Sequence, residues 1–332
     1  MATERQPSSV LLNDASEQAA AQPWLDLDMH QLSPGDYQGQ CTTLTLDGMH
    51  LVHEQQNQSV HKSGVTRGNL SAISIARTVT PGMRFSQFLS PQDSWLYFLP
   101  SEAELDLNVA GGSETFYLCL DQDRLFADMQ TLSERGWSVG DDTPQAFNSA
   151  HTERVAQAFS RILHGGPMGG PALSPNGTEL LRDSVLMALT GATEVDTGTS
   201  RQLRSGWRTQ RLVSTAREFM NACLQVGRVP SVADLCAVTG VSERTLQYAF
   251  RSAMQLPPVA YLRTLRLNRV RADLLAAKPS HTTVTGSAMH WGFIHLGEFS
   301  RDYRRLFGER PSQTLARSSI GAASREFVAE IR

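Results

Sequence analysis

The sequence contains few cysteines, few aromatic residues and no long run of apolar side chains. Its four cysteines, Cys41, Cys119, Cys223 and Cys236, fall in neither a CxxC nor a Cys/His spacing, which excludes a zinc finger and a disulfide framework. No apolar run approaches the ~18 residues that a membrane helix needs. The first residues include acids and lack the basic start and apolar stretch of a secretory signal. We therefore expect a cytoplasmic protein with reduced cysteines and no membrane contact.

Charge is distributed unevenly along the 332 residues, although the net charge is only −3. Residues 1–200 hold 10 basic and 24 acidic side chains, whereas residues 201–332 hold 20 basic and 9 acidic ones. Nineteen of those 20 bases are arginine. Such an asymmetry indicates that the second half meets a polyanion such as nucleic acid. The alternative is a basic surface that is only solvated.

The first half is dominated by short β-type segments. Residues 1–24 are rich in Ala, Gln, Ser and acids, and they predict a disordered tail. Six β-type segments follow, separated by turn signals such as Pro-Gly and Asp-Gly, at 41–46, 70–79, 83–89, 94–99, 104–109 and 114–120. Apolar positions at helical spacing then appear at 125–132, 155–162 and 181–189. This pattern predicts a β-rich domain over 25–190 with accessory helices after 121, and a linker over 191–207.

The second half is helical, and one arrangement occurs in it twice. A short helix at 232–238 meets Gly240, and Ser242 is placed to cap the next helix. A second short helix at 283–290 turns at Gly292 before a helix that runs from His295 to Phe307. A long helix from the Pro257-Pro258 pair to about Ala277 joins the copies. The pattern predicts an all-α domain over 208–318 with two helix-turn-helix units, followed by a tail over 319–332.

Each helix after a glycine turn has an apolar side and an arginine-bearing side. In the first, the outer side carries Arg244, Gln247, Tyr248 and Arg251; in the second, Arg301 is flanked by Gly297, Glu298, Arg304 and Arg305. Arginine makes bidentate hydrogen bonds to guanine, and glutamine does so to adenine. Residues 208–318 carry 16 basic and 7 acidic side chains, a net charge of +9. Two such helices in a basic domain favour DNA binding over a merely solvated surface.

The second half resembles the AraC/XylS family of bacterial transcription regulators. The resemblance covers about 110 residues, and its most specific positions are Gly292-Phe293, Phe299, Tyr303, Phe307-Gly308, Pro311-Ser312 and the Arg266-Leu267 pair. The segments 32–40 (LSPGDYQGQ), 244–247, 291–297 and 302–307 are also similar to the subgroup that contains the ethanolamine-operon regulator. We expect Arg266 to be a structural, ion-pairing residue rather than a DNA contact.

The resemblance implies seven helices with two recognition helices that enter successive major grooves. By position, it implies base contacts from Arg244, Gln247 and Tyr248 in the first unit and from Leu296, Gly297, Glu298 and Arg301 in the second. One departure is His295, which stands where many members place a capping serine or threonine. The full set of expected DNA-binding residues is Ser242, Arg244, Thr245, Gln247, Tyr248, Arg251, Leu296, Gly297, Glu298, Arg301, Arg304 and Arg305.

The first half resembles the cupin-like effector domain of many relatives. This implies a small-molecule effector of unknown identity, a homodimer formed through residues 25–190, and control of an activator that contacts RNA polymerase. No cofactor or metal is expected. Two alternatives remain open: an architectural DNA-bending protein without an effector, and a cupin-type metal enzyme. For the enzyme, His50, His53, Glu54 and His61 are the available ligand cluster, but their spacing repeats no metal-cupin motif.

Overall fold

The computed structural model describes residues 6–77, 83–89, 95–132, 143–165, 177–190, 192–194, 201–277 and 282–317. They divide into two compact units, one of residues 1–29 and 38–206, the other of residues 30–37 and 207–332. The sequence placed the boundary in the linker 191–207 and did not separate residues 30–37 from the β-rich half. Within the described ranges, no helix combines the length and the apolar character that crossing a bilayer requires.

The first unit contains two antiparallel β-sheets. In chain order the described strands are β1 (Ser8–Leu12), β2 (Leu25–Gln31), β3 (Gly39–Leu46), β4 (Met49–Gln56), β5 (Val60–Thr66), β6 (Leu70–Ala76), β7 (Arg84–Phe85), β8 (Phe88–Leu89), β9 (Trp95–Leu99), β10 (Glu104–Val109), β11 (Glu114–Asp121), β12 (Gln145–Asn148) and β13 (Thr193–Glu194). The larger sheet has the order β1-β3-β4-β11-β6-β9-β12-β13, and the smaller has β2-β5-β10-β7-β8. The predicted β-rich first half is confirmed.

Helices cover the outer face of the larger sheet. They are α2 (Gln122–Leu132), α3 (Thr152–His164) and α4 (Gly177–Thr190). Their apolar residues, including Leu125, Phe159 and Val185, share one buried cluster with sheet residues such as Phe98 and Phe116. The apolar stripes seen at 155–162 and 181–189 are therefore buried against the chain's own sheet.

The inner side of the larger sheet faces the smaller sheet and holds a buried polar network. Glu54 on β4 and Lys62 on β5 form an ion pair, with 2.6 Å between Oε2 and Nζ and both side chains almost fully buried. The other carboxylate oxygen of Glu54 accepts hydrogen bonds from the amides of Gln18 and Gln22. Burial by itself raises the pKa of Glu54, but the charge of Lys62 and these hydrogen bonds outweigh it, so the pKa lies below its usual range. The polar inner face explains why β4 and β5 lack the apolar alternation that would have predicted them.

Residues 8–20 are folded, which corrects the expectation of a disordered tail over 1–24. β1 pairs with β3, and Asp14 caps the short helix α1 (Ala15–Ala20) by accepting from the backbone N–H of Ser16. Gln18 and Gln22 are buried because Glu54 needs their hydrogen bonds. The polar composition of this segment suggested disorder. The two amides in fact donate hydrogen bonds to Glu54, and the sequence gives no sign that this carboxylate is buried.

The second unit is helical apart from residues 30–37. Its helices are α5 (Arg201–Gln225), α6 (Val232–Thr239), α7 (Glu243–Met254), α8 (Pro258–Leu275), α9 (Val284–His290) and α10 (Leu296–Phe307), and residues 311–317 are also helical. Because α5 starts at Arg201, it includes the end of the predicted linker 191–207. One core cluster joins α5, α6, α7 and α8, and a second joins α8, α9 and α10. The described residues 201–317 thus hold the seven helices that the resemblance implied.

Candidate nucleic-acid interface

The turn between α6 and α7 is closed by local signals. Ser231 and Asp234 form a capping box at the start of α6, and Gly240 ends this helix in the left-handed conformation, with φ of 67°. Ser242 then caps α7 by accepting a hydrogen bond from the backbone N–H of Thr245 at 3.3 Å. These caps fix where α7 begins, and hence which of its side chains face outward.

The two sides of α7 are sharply divided. Leu246, Ala249, Phe250, Ala253 and Met254 are buried in the core. Ser242, Arg244, Thr245, Tyr248 and Arg251 are exposed, and Tyr248 has 76% of its surface free. Gln247 is half-buried, and its amide donates to the Glu243 carboxylate at 2.9 Å. The structure therefore places the six residues expected of the first unit on one accessible side.

The turn before α10 has a different construction. Thr283 caps α9, and Gly292 adopts φ of 77° where a Cβ would lie 2.6 Å from Val229 and 3.2 Å from Arg266. His295 occupies the N-cap position of α10 without making a side-chain cap. The departure noted at His295 therefore leaves this helix without the side-chain cap that α7 has.

The outer side of α10 carries the residues that helical spacing predicted for it. Gly297, Glu298, Arg301, Arg304 and Arg305 are exposed. Leu296 is only half-exposed, because its side chain packs against the second core cluster together with Trp291. Its apolar character thus directs it toward the core, and the resemblance-based expectation of a base contact loses support at this position.

Some of these outer residues form ion pairs within the protein, whereas others do not. Glu298 pairs with Arg263 at 3.8 Å, and Arg305 pairs with Asp302 at 3.5 Å. By contrast, the guanidinium groups of Arg244, Arg251, Arg301 and Arg304 make no hydrogen bond or ion pair with any residue in the described ranges. Four exposed guanidinium groups therefore keep all their donors available on the outer sides of α7 and α10.

The linking helix α8 uses its arginines to hold the second unit together. Arg263 pairs with Asp302 on α10. Arg266 is structural, as expected, but it does not act through an ion pair: its Nε donates to the Trp291 carbonyl at 2.7 Å, and its guanidinium lies over the Phe293 ring at 4.1 Å. Burial, and then the charge of Arg263, lower the pKa of Arg266 to about 10. It stabilises the turn that precedes α10.

Ile294 is not among the DNA-binding residues predicted from the sequence. It lies in the turn just before α10 and exposes 78% of its surface, while its neighbour Phe293 is buried. This exposed isoleucine therefore lies beside the outer side of α10, next to its first turn. The sequence did contain a signal for this residue. Ile294 is apolar but lies outside the helical period, between Gly292 and the start of α10.

The histidines considered for a metal enzyme have separate partners. His50 stacks on Trp24, His53 is hydrogen-bonded to Glu114 and His164, and His61 is hydrogen-bonded to Asp106. Glu54 is engaged by Lys62. His53 also points to the opposite side of β4 from His50 and Glu54, since side chains alternate along a strand. Among the described residues, no three potential ligands converge on a point that could hold a metal.

Comparisons with known proteins concern mainly the second unit. Residues 235–317 match the family model described as "Helix-turn-helix domain". The "Probable thc operon regulatory protein" of Rhodococcus erythropolis is 39% identical over 104 residues, which are 31% of this chain and 31% of that protein. The "XylDLEGF operon transcriptional activator 2" of Pseudomonas putida is 36% identical over 91 residues, 27% of this chain and 58% of that protein.

One solved structure is similar to this chain over nearly all of its own length. It is titled a probable AraC family transcriptional regulator from Rhodopseudomonas palustris; it is 36% identical, with a TM-score of 0.30, and the match covers 32% of this chain and 97% of that one. The helix-turn-helix part of this chain is therefore similar to transcriptional regulators of the AraC/XylS type. The relatives named here are described as regulators of transcription, which gives the metal-enzyme alternative no support. The match spans about a third of the Rhodococcus protein and little more than half of the Pseudomonas one.

Proposed function

We propose that this chain is a sequence-specific transcriptional regulator of the AraC/XylS type. Its helices α7 and α10 read successive major grooves of promoter DNA. The observation that carries the proposal is the pairing of a buried side with an outer side of unpartnered arginines on both helices. A helix fits the major groove, and arginine there makes bidentate contacts with guanine.

The outer residues divide between reading bases and holding phosphates. Arg244 and Arg301 lie near the middle of the two outer sides and serve as the base readers, with Gln247 and Tyr248 beside Arg244. Arg251, Arg304 and Arg305 are nearer the rims and hold phosphates, together with Ser242 and Thr245 at the start of α7. Gly297 has open space where a Cβ would be, so nothing projects from α10 at this position. Leu296 and Glu298 contribute less, because the protein itself engages their side chains.

DNA binding should depend steeply on salt. With roughly six to eight phosphate contacts, the slope of log affinity against log salt is expected near −5 to −7, since each contact contributes about −0.9. Arg304→Ala should reduce the slope by about one contact. Filter binding or fluorescence anisotropy at several salt concentrations, with the full-length chain, measures both values.

A matched control is Arg67→Ala in the β-rich unit, which removes the same charge from an exposed side chain. Its slope should equal that of the parent. If both variants change the slope equally, the effect is one of net charge and not of a contact. Equal affinity for every DNA sequence would favour the architectural DNA-bending alternative over a sequence-specific regulator.

Control through the first unit forms part of the proposal. A cavity of about 530 Å³ lies beside the 47–49 turn, α2 and α4. Leu120 and Leu125 line it, together with Asp128 and Arg182, which form an ion pair. Its volume is within the range of small-molecule sites. We propose that an effector binds there and that the chain activates transcription through RNA polymerase. Activation is suggested by the Pseudomonas relative, which is described as an operon transcriptional activator. The ethanolamine-regulator-like subgroup rests on the quoted motifs alone.

A homodimer formed through residues 25–190 is proposed on the family resemblance alone. The apolar stripes at 155–162 and 181–189 give it no further support, because they are buried on the chain's own sheet. Sedimentation of the full-length chain at micromolar concentration should still give twice the chain mass of 36.5 kDa. A single species at the chain mass would reject the dimer.

A further inference from the structure

Residues 30–37, here called the strap, belong to the helical unit, although the rest of that unit begins only at Trp207. The first two residues of the strap (HQLSPGDY) are the last two of β2, and Gln38 connects its other end to β3. Its residues Gln31, Leu32 and Tyr37 are buried. The strap is therefore a built part of the DNA-binding unit, contributed by a distant stretch of sequence.

The first anchor of the strap is a two-point bond to α8. The side chain of Asn268 accepts from the backbone N–H of Gln31 at 2.9 Å and donates to the carbonyl of the same residue at 3.0 Å. The amide of Asn268 also donates to the Thr264 carbonyl at 2.9 Å, which orients it. One side chain thus satisfies both backbone groups of Gln31, as a neighbouring β-strand would.

The second anchor lies at the end of α10. The carbonyl of Leu306 is in the last turn, where helix carbonyls lack a partner within the helix. It accepts from the side-chain amide of Gln31 at 2.7 Å and from the backbone N–H of Gly35 at 3.0 Å. The same Gln31 amide lies 2.9 Å from the carbonyl of Ser33 and 2.7 Å from that of Gly35, within the strap. Gln31 therefore shapes the strap and ties it to the recognition helix.

Packing reinforces these two anchors. Gly308 ends α10 with φ of 74°, and a Cβ at this position would overlap the Asp36 carboxylate. Leu32 lies in the core cluster of the first helix-turn-helix unit, together with Leu246 and Phe250 of α7. One strap residue thus lies in the core that supports α7, while its neighbours bind the end of α10.

We infer that the strap positions α10 relative to α7, and that Gln31 and Asn268 are positioning residues for DNA reading. The inference rests on the proposed function, because it assumes that both helices read bases. Two readers on one stretch of DNA need a fixed separation to match base pairs about one helical turn apart. The strap joins the core that carries α7 to the end of α10, because Leu32 lies in that core and Gln31 and Gly35 bind the Leu306 carbonyl.

The test uses Gln31→Ala and Asn268→Ala in the full-length chain. Binding-site selection should show discrimination at the α10 sub-site falling about tenfold, which corresponds to one or two net hydrogen bonds. Discrimination at the α7 sub-site should stay within about twofold of the parent, because the caps and core of that unit are unchanged. The double variant should lose less than the product of the single losses, since both residues act through one element.

Gln55→Ala is the matched control, since Gln55 is an exposed glutamine on β4. It should read both sub-sites like the parent. Parent-like profiles from both strap variants would overturn the inference, and so would equal losses at both sub-sites, which would mean that the strap only holds the unit folded. A parent chain that shows no preference at either sub-site would refute the proposed function instead.

Discussion

Replacing Arg244 by alanine should relax base preference in one half of the DNA site, and Arg301→Ala should relax it in the other. Each loss of a bidentate arginine–guanine pair is expected to cost about 1–3 kcal/mol, or roughly 5-fold to 150-fold in affinity for the preferred base. The two relaxed positions should lie about 10–10.5 bp apart, because the helices belong to separate units that enter successive grooves. Binding-site selection with each variant measures the position and the size of the effect.

Arg304→Ala is the control for this comparison. Like Arg301, it is an exposed arginine of α10 without a partner in the described residues, but it lies nearer the rim. It should weaken binding to all sequences alike, as loss of a phosphate contact does. If Arg244→Ala and Arg301→Ala both keep the parent's sequence preference, the outer sides of α7 and α10 do not read bases.

The two halves of this prediction do not have equal support. Beside Arg244, Gln247 and Tyr248 remain accessible, and Ser242 caps the helix. Beside Arg301, Leu296 turns toward the core and Glu298 is paired with Arg263. Arg301 therefore carries most of the direct reading in the second unit. Its removal should leave that sub-site almost without base preference, whereas Arg244→Ala should leave a residual preference from Gln247.

Lys62→Met should strongly destabilise the β-rich unit. The substitution leaves the Glu54 carboxylate buried without its cation, and breaking a buried pair from one side costs about 3–5 kcal/mol. Thermal unfolding followed by circular dichroism would show the loss. Combining Lys62→Met with Glu54→Gln removes both charges while keeping an acceptor for Gln18 and Gln22, so the double variant should recover most of the stability.

The pH dependence supplies a second readout with a definite sign. In the parent, the pKa of Glu54 is below its unfolded value, so its stabilising effect is present above the unfolded pKa and is lost as pH falls through the folded pKa. In Lys62→Met, burial without the cation raises the pKa above the unfolded value, so stability should fall as pH rises through the acidic range. An unchanged pH profile in Lys62→Met would show that the ion pair is not what sustains the charge on Glu54.

Much of the helical half could be predicted because its signals are local. Ser231, Gly240 and Ser242 each act within one turn of their own position, and the period of apolar residues determines which side of α7 is buried. Arg266 was rightly expected to be structural, but its partners, the Trp291 carbonyl and the Phe293 ring, lie in another helix-turn element. The role could be inferred from sequence, whereas the partners required the fold.

The β-rich half was predictable in class but not in detail. Turn signals and short apolar segments indicated strands, yet the pattern did not predict β1, β2, β4, β5, β12 and β13. Strand pairing joins distant residues, as when Val52 lies opposite Tyr117, and no local pattern encodes it. Gln18 and Gln22 looked like residues of a disordered tail until the fold placed Glu54 beside them.

By itself, the sequence determined the charge asymmetry, the two helix-turn-helix units and the outward direction of Arg244 and Arg301, because each depends on composition or on helical spacing. The tertiary structure alone decided that the strap completes the DNA-binding unit. Gln31 and Asn268 are separated by 237 positions in the chain, and their hydrogen bonds exist only because folding brings both backbones together. Local propensity acts over one or two turns of helix, so it cannot encode a contact at that distance.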